Sequence, residues 1–301
     1  MCCWLFLGFA WVTISSMNYV IAHYTGNLHQ PGIRSFVHSL GYVDAQVIFF
    51  TSNGDVPDFM RTDQIRVIVT PDRGCAIPNF QRHFDTLDFL EAEKPEGNFL
   101  ACDCRDLVFF GDPFSPILIN NSIDKLKALS RDPHAPLAVS GRLHVFQECG
   151  LYRNRDEFYN SAWIEALHPT VLDRLGDHII LCGGTIMAES LEPFMAYHKA
   201  HVGVIDLHSL TVQWDRFNDQ ATFNETIRSC LPNIETVVHH NEAPSLVYTL
   251  GNVPHDEYTI IDDRIHVNGF SPPVIHQYDR RDRAYGLIRK LFPYWPDWPL
   301  P

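Results

Sequence analysis

Apolar positions along the first third of the chain fall in short runs, separated by stretches of mixed polarity. NYVIAHYTGN (18–27), AQVIFFTSN (45–53), IRVIVTPD (65–72) and FLACD (99–103) carry apolar, mostly β-branched or aromatic cores of strand length. The first runs into a polar Thr-Gly-Asn loop. Between them, PGIRSFVHSLGY (31–42) predicts a helix with Pro31 near its start and Gly41 at its stop. NFQRHFDTLDFLEAE (79–93) predicts another, with Phe80, Phe84, Leu87 and Leu90 on or near one face. Buried strands alternating with helices predict an α/β fold with a mostly parallel central sheet covered by helices on both faces. Ligands of such sheets bind beyond the carboxyl ends of the strands. Thr25-Gly26-Asn27 and the Asp103–Asp106 stretch both fall at such ends.

The second half is less regular. LHPTVLDRLGD (167–177) and ESLEPFMAYHKAH (189–201) predict helices, and HIILCGGT (178–185) a strand entering a glycine turn. From about 232 the chain offers short strands broken by Asn, Pro and Gly, and residues 293–301 read as a tail on the surface. No internal repeat or linker divides residues 17–301, which are expected to form a single domain.

Composition narrows the classes. The 301 residues are 46% hydrophobic and 20% charged, enough for a sizeable core. A net charge of −13 disfavours a nucleic-acid partner, which would call for a basic face. The eight cysteines include no Cys-x-x-Cys pair, so zinc-ribbon spacing is absent and free thiols are expected. Residues 1–16 are uncharged and apolar from Cys2 to Val12, but shorter than the ~20 residues of a spanning helix and without a basic leader. They read as an apolar extension upstream of a start at Met17, or as a partial signal anchor. The location is cytoplasmic in the first case and membrane-associated, of Golgi type, in the second. A secretory route would make sequons of Asn120-Asn121-Ser122 and Asn224-Glu225-Thr226.

The chemistry concentrates in a few stretches. In ACDCRDLVFFGDPF (101–114), Asp103 and Asp106 form an Asp-x-x-Asp pair directly after an apolar run. Carboxylates there are either a solvated, ion-paired turn or hard oxygen ligands for Mg2+ or Mn2+. Arg105 would pair with a diphosphate or with a neighbouring carboxylate, and Asp112 would cap a turn fixed by Pro113. In NDQATFN (218–224), a helix from about 220 would carry Gln220 and Asn224 on one face. Asn218 or Asp219 is then a cap, or Asp219 faces a polyhydroxylated ligand together with Gln220. His276, on a strand in VIHQYDR, is a core histidine or completes a metal site. Gly183-Gly184 would let a ligand approach the backbone.

The order of these pieces resembles the GT-A fold glycosyltransferases over roughly residues 18–282: the YTGN loop, the helix with Arg82, FLACDCRDLVFFGDPF, CGGT, NDQATFN and PPVIHQYDR. The aspartate stretch resembles their Asp-x-Asp region, with a departure: Cys104 stands at the first acidic position and Asp103 one residue earlier, giving Asp-x-Arg-Asp. The resemblance implies a Rossmann-like GT-A domain, with a nucleotide half over about 17–115 and a sugar and acceptor half over about 116–301. It implies that Tyr24, Thr25 and Asn27 line the nucleotide pocket, with Arg82 and Arg105 near the diphosphate. Asp103 and Asp106 would hold Mn2+ or Mg2+ with His276 as third ligand. Gly183, Gly184 and Thr185 would border the sugar or acceptor, and Asp219 and Gln220 the donor sugar. Asp219 or Glu148 would serve as base. The partners implied are a UDP- or GDP-sugar and a glycan or glycoconjugate acceptor. A nucleotidyltransferase or phosphohydrolase would share the carboxylates and metal, but the former would carry a basic glycine loop where this chain has Tyr-Thr-Gly-Asn-Leu-His. A degenerate transferase kept as a carbohydrate-binding or scaffold protein is the non-enzymatic alternative.

Overall fold

The computed structural model describes residues 17–115, 119, 142–148, 153–209, 218–242, 244–251, 253 and 257–292. The apolar runs form strands β1 (Met17–His23), β2 (Gln46–Thr51), β3 (Ile65–Val69) and β4 (Gly97–Cys102). Helices α1 (Pro31–Ser39) and α2 (Pro78–Glu93) separate them, each opened by a proline whose missing N–H costs nothing at that position. Then follow β5 (Leu107–Phe109), β6 (Leu143–Gln147), α3 (Phe158–Leu167), α4 (Pro169–Leu175), β7 (Leu181–Ala188), α5 (Leu191–His208) and α6 (Asn218–Glu225). A short π-helical turn, Thr226–Cys230, continues α6. Strands β8 (Thr236–His239), β9 (Val247–Thr249), β10 (Thr259–Ile261), β11 (Arg264–His266) and β12 (Val274–His276) lead to α7 (Asp282–Leu291).

The main sheet has the order β3-β2-β1-β4-β7-β6-β8. Its first four strands are parallel, β7 is antiparallel to both β4 and β6, and β8 is parallel to β6. The expected α/β architecture with a mostly parallel sheet is therefore present, and strands from both halves of the chain share that sheet. Alternation along each strand divides the core. Val20, Ala22, Val47 and Phe49 join one cluster with Ile33 and Phe36 of α1. Ile21, Ile48 and Phe50 join the other, with Phe89 of α2, Phe194 and Tyr197 of α5 and Phe223 of α6. A smaller sheet, β5-β12-β9, leaves the main one just past β4; in it β12 is antiparallel to β5. That topology returns residue 276 to the end of β4.

Some expectations change. The helix expected over 167–177 is present over Pro169–Leu175; a separate helix ends at Leu167, and the side chain of His168 between them caps the second by accepting the Thr170 N–H at 3.3 Å. Gly183-Gly184 are not a turn: β7 runs straight through them. The physical reason is close approach, since both lack side chains where other side chains pass (below). Asn224 is fully buried and bonded to the Leu181 backbone, so it is no glycosylation acceptor; Asn120, the apolar residues 1–16 and the tail at 293–301 lie outside the described residues. Among the described residues no helix is long and apolar enough to cross a membrane. Cys75, Cys102, Cys104, Cys182 and Cys230 are free thiols, as expected, and Asp112 caps its turn by accepting the Phe114 N–H at 3.1 Å.

Buried Asp85 of α2 fastens the loop after β3. It accepts from Thr70 Oγ1 (2.8 Å), Arg73 Nε (2.7 Å) and Gln81 Nε2 (3.1 Å), with His23 Nε2 at 3.3 Å. Burial raises its pKa, but the bonds from His23, Thr70, Arg73 and Gln81 lower it more, from 3.8 to about 2. A depressed carboxyl contributes stability that is present above its unfolded pKa and lost as pH falls through the folded one. The contribution is therefore complete above about pH 4 and fades toward pH 2. Asp85→Asn is expected to cost about 3 kcal/mol in denaturant unfolding at pH 7, with a smaller difference from wild type at pH 3. An unchanged midpoint at pH 7 would refute this role.

Candidate functional site

The site lies where β4, β7 and β12 end or pass one another. Asp103 follows β4, and its N–H donates to the Gly184 carbonyl at 2.7 Å, continuing the ladder for one residue. Asp106 precedes β5, and His276 closes β12 opposite Leu107. His276 Nε2 lies 3.4 Å from Asp103 Oδ2 and 3.6 Å from Asp106 Oδ1. One ligand atom from each of the three lies within 4.8 Å of the others. His276 and Asp106 are buried, and Asp103 is partly open to solvent.

Those separations are long for hydrogen bonds, and buried His276 Nε2 has no hydrogen-bond partner. Oxygen and nitrogen ligands at right angles around an ion at ~2.1 Å stand ~3 Å apart, so the spacing fits a shared divalent cation. The charge state fits too. Burial raises the Asp106 carboxyl, but His276 and the Arg105 and Arg280 guanidiniums bring it down to about 2. It is an anion at any physiological pH. Burial opposes a charged His276, yet Cys182, Asp103 and Asp106 hold its proton well above the usual range. A cation would replace that proton.

Glycine makes the approach possible. A Cβ on Gly184 would stand 2.4 Å from His276 Cε1 and 2.5 Å from Asp103 Oδ2. A Cβ on Gly183, on the other face of β7, would stand 3.0 Å from Gln220 Oε1. Thr185 is fully buried and pairs with Cys102, which leaves Gly183 as the partly exposed residue of CGGT.

A second network adjoins these three residues. Arg82 Nη1 donates to Asp103 Oδ1 at 2.9 Å, its Nη2 donates to the Gly183 carbonyl at 3.1 Å, and Asp219 Oδ2 is 3.7 Å away. Arg82 thus joins the aspartate after β4 to the one that opens α6. Asp219 also accepts from Asn79 Nδ2 (2.7 Å) and from the Gln220 N–H (2.9 Å). Gln220 accepts the Gly183 N–H at 2.8 Å and donates through Nε2 to Glu148 Oε2 at 2.6 Å and to the Leu181 carbonyl at 2.7 Å. Glu148 further accepts from Gln277 Nε2 at 3.4 Å. Burial raises the carboxyls of both Asp219 and Glu148; Arg82 works against it at Asp219, and Arg280 at Glu148. Two carboxylates are thereby held near, but not on, the candidate cation site.

Arg105 is half-exposed and pairs with Asp106 (3.6 Å) and Asp279 (3.7 Å). The neighbouring carboxylate, one of its two expected partners, is thus in place. Tyr24 sits close enough to Arg105 to influence it electrostatically, and its N–H donates to the Phe50 carbonyl at 2.9 Å. Thr25 is partly buried; exposed Asn27 accepts the His29 N–H at 2.9 Å, shaping the loop beyond β1. The structure therefore brings together Asp103, Asp106, His276, Arg82, Asp219, Gln220, Glu148 and Gly183-Gly184, with Arg105 and Tyr24 on the flank. Sequence reasoning missed Asn79, Cys182, Gln277 and Asp279. The left-handed backbone at Gln277 (φ 56°) turns the chain away directly after His276.

Comparison with models of known protein families and with curated proteins finds no match for this chain.

Proposed function

We propose that the chain is a metal-dependent glycosyltransferase of GT-A type that moves a sugar from a UDP- or GDP-sugar to a hydroxyl of a glycan or glycoconjugate. The observation that carries this reading is the convergence of Asp103, Asp106 and the orphaned Nε2 of His276 on one point, at the carboxyl end of a central parallel strand. Chain segments 170 residues apart build it. The same point borders an Arg82–Asp219 pair and a Gln220–Glu148 pair, which a purely structural ion cluster would not call for.

Asp103, Asp106 and His276 would hold Mn2+ or Mg2+. Bound there, the ion supplies positive charge to a departing nucleoside diphosphate. Arg105 is exposed enough to exchange its carboxylate partners for phosphate oxygens, for which its planar fork is suited. Arg82 keeps Asp103 and Asp219 at a fixed separation, and Gln220 does the same between β7 and Glu148. A hydroxyl acceptor loses its proton to a carboxylate whose pKa has been raised toward neutrality, and burial supplies that shift at Asp219 and Glu148.

A screen of UDP-, GDP- and CMP-sugars with and without Mn2+ tests the reading. At least one nucleotide sugar is expected to raise the melting temperature only when metal is present, since a ligand bound to the folded state stabilises by mass action. Mass spectrometry of the reaction then separates the enzymatic classes. From a UDP- or GDP-sugar, transfer or slow hydrolysis leaves a nucleoside diphosphate, whereas attack on the pyrophosphate leaves a nucleoside monophosphate; a CMP-sugar has no pyrophosphate and leaves CMP on transfer. Equal shifts with and without metal, or monophosphate as the product from a UDP- or GDP-sugar, would overturn the proposal.

A further inference from the structure

We propose that Cys182 is a positioning residue of the cation site: its sulfur receives the Nδ1–H of His276 and so holds the imidazole with its Nε2 lone pair facing Asp103 and Asp106. The inference rests on the cation reading of those three residues and assigns a role to a fourth that is not itself a ligand. Cys182 Sγ lies 3.3 Å from His276 Nδ1, within hydrogen-bond reach of sulfur. Both residues are buried, Cys182 at 2% and His276 at 1% exposure, so water does not compete for either nitrogen.

An imidazole bound to a cation through one nitrogen keeps its proton on the other. That remaining N–H needs an acceptor, which at most metal-bound histidines is a carboxylate, a backbone carbonyl or water. Here the group at Nδ1 is a thiol. Sulfur is a weak, polarisable acceptor, and at this site it also fills apolar space. The strand explains why the cysteine stands there. Alternation along β7 turns residues 182 and 184 to one face and residue 183 to the other. Cys182 touches the ring at Nδ1, Gly184 leaves room for the ring edge and for Asp103, and Gly183 receives Gln220 from the far side. Three consecutive residues thus set the histidine, the aspartate and the Gln220–Glu148 pair in one frame.

The test is Mn2+ binding, read from the electron paramagnetic resonance of the free ion, in the wild type, Cys182→Ser and Cys182→Val. Thermal melts confirm that each variant is folded. Valine fills the site with a slightly larger apolar group and removes the acceptor, so Mn2+ affinity should fall about 10- to 100-fold, the usual cost of losing a group that orients a metal-bound histidine. Serine keeps an acceptor and should restore most of that loss. Should the valine variant fail to fold, Cys182→Ala repeats the measurement without overpacking. Wild-type affinity in the valine variant, or serine as weak as valine, overturns the role and leaves Cys182 as packing. A wild type that binds no Mn2+ removes the cation reading itself, and this inference with it.

Discussion

Asp106→Asn should abolish metal-dependent nucleotide binding while leaving the fold intact. The carboxylate of Asp106 is buried, held to about 2, and 3.6 Å from His276 Nε2. Asparagine preserves shape and one oxygen but removes the charge from the hard ligand. Losing an anionic ligand is expected to cost at least about 100-fold in Mn2+ affinity, about 2.7 kcal/mol. The stabilisation of the wild type by UDP- or GDP-sugar with Mn2+ should shrink to the metal-free value. Folding is less affected: Arg105 keeps Asp279 as a partner, and this half-exposed pairing contributes little on its own. The measurement is a pair of melting curves, with metal and without, for each protein. An Asp106→Asn variant that retains the full metal-dependent shift would show that the ion, if bound, sits elsewhere.

Parts of this arrangement were legible because their cause is local. Strands buried on both faces read as continuous apolar runs, and Val47–Phe50 and Phe99–Cys102 are such runs. The helix expected over 79–93 is Pro78–Glu93, but of its expected apolar face only Phe80 and Leu90 are buried: Phe84 and Leu87 are partly exposed, while Gln81, His83, Asp85, Thr86 and Phe89 are buried. Asp103, Asp106 and His276 stood out as polar residues beside apolar strand sequence, which is costly unless something pairs with them. What failed to show is what depends on two distant segments at once. Gly183-Gly184 looked like a turn, since glycine in a strand and glycine in a turn are the same letters; the difference lies in Gln220 and His276 crossing there. Cys182 carried no sign of its contact with His276, 94 residues away. His83, His198 and His201 drew no reading from the sequence, and all three are buried where α2 and α5 meet, with His83 Nδ1 3.2 Å from His198 Nδ1.

The two candidate bases should separate by the pH dependence of the transfer they support. Asp219 is bound to a cation: Arg82 stands 3.7 Å away and works against the effect of burial on its carboxyl. Glu148 accepts hydrogen bonds from neutral amides, Gln220 Nε2 at 2.6 Å and Gln277 Nε2 at 3.4 Å, while burial raises it against the charge of Arg280. An amide donor depresses a carboxyl less than a guanidinium does, so Glu148 is the better proton acceptor near neutrality and Asp219 the better anchor for Arg82. Glu148→Gln should therefore lower kcat by about 1,000-fold, within the range for removing a general base, and should flatten the acid limb of the rate profile. Asp219→Asn should also slow transfer, because Arg82 then pulls on Asp103 alone, but should keep that limb, as its loss acts through geometry. A limb that survives in Glu148→Gln and disappears in Asp219→Asn would exchange the two roles.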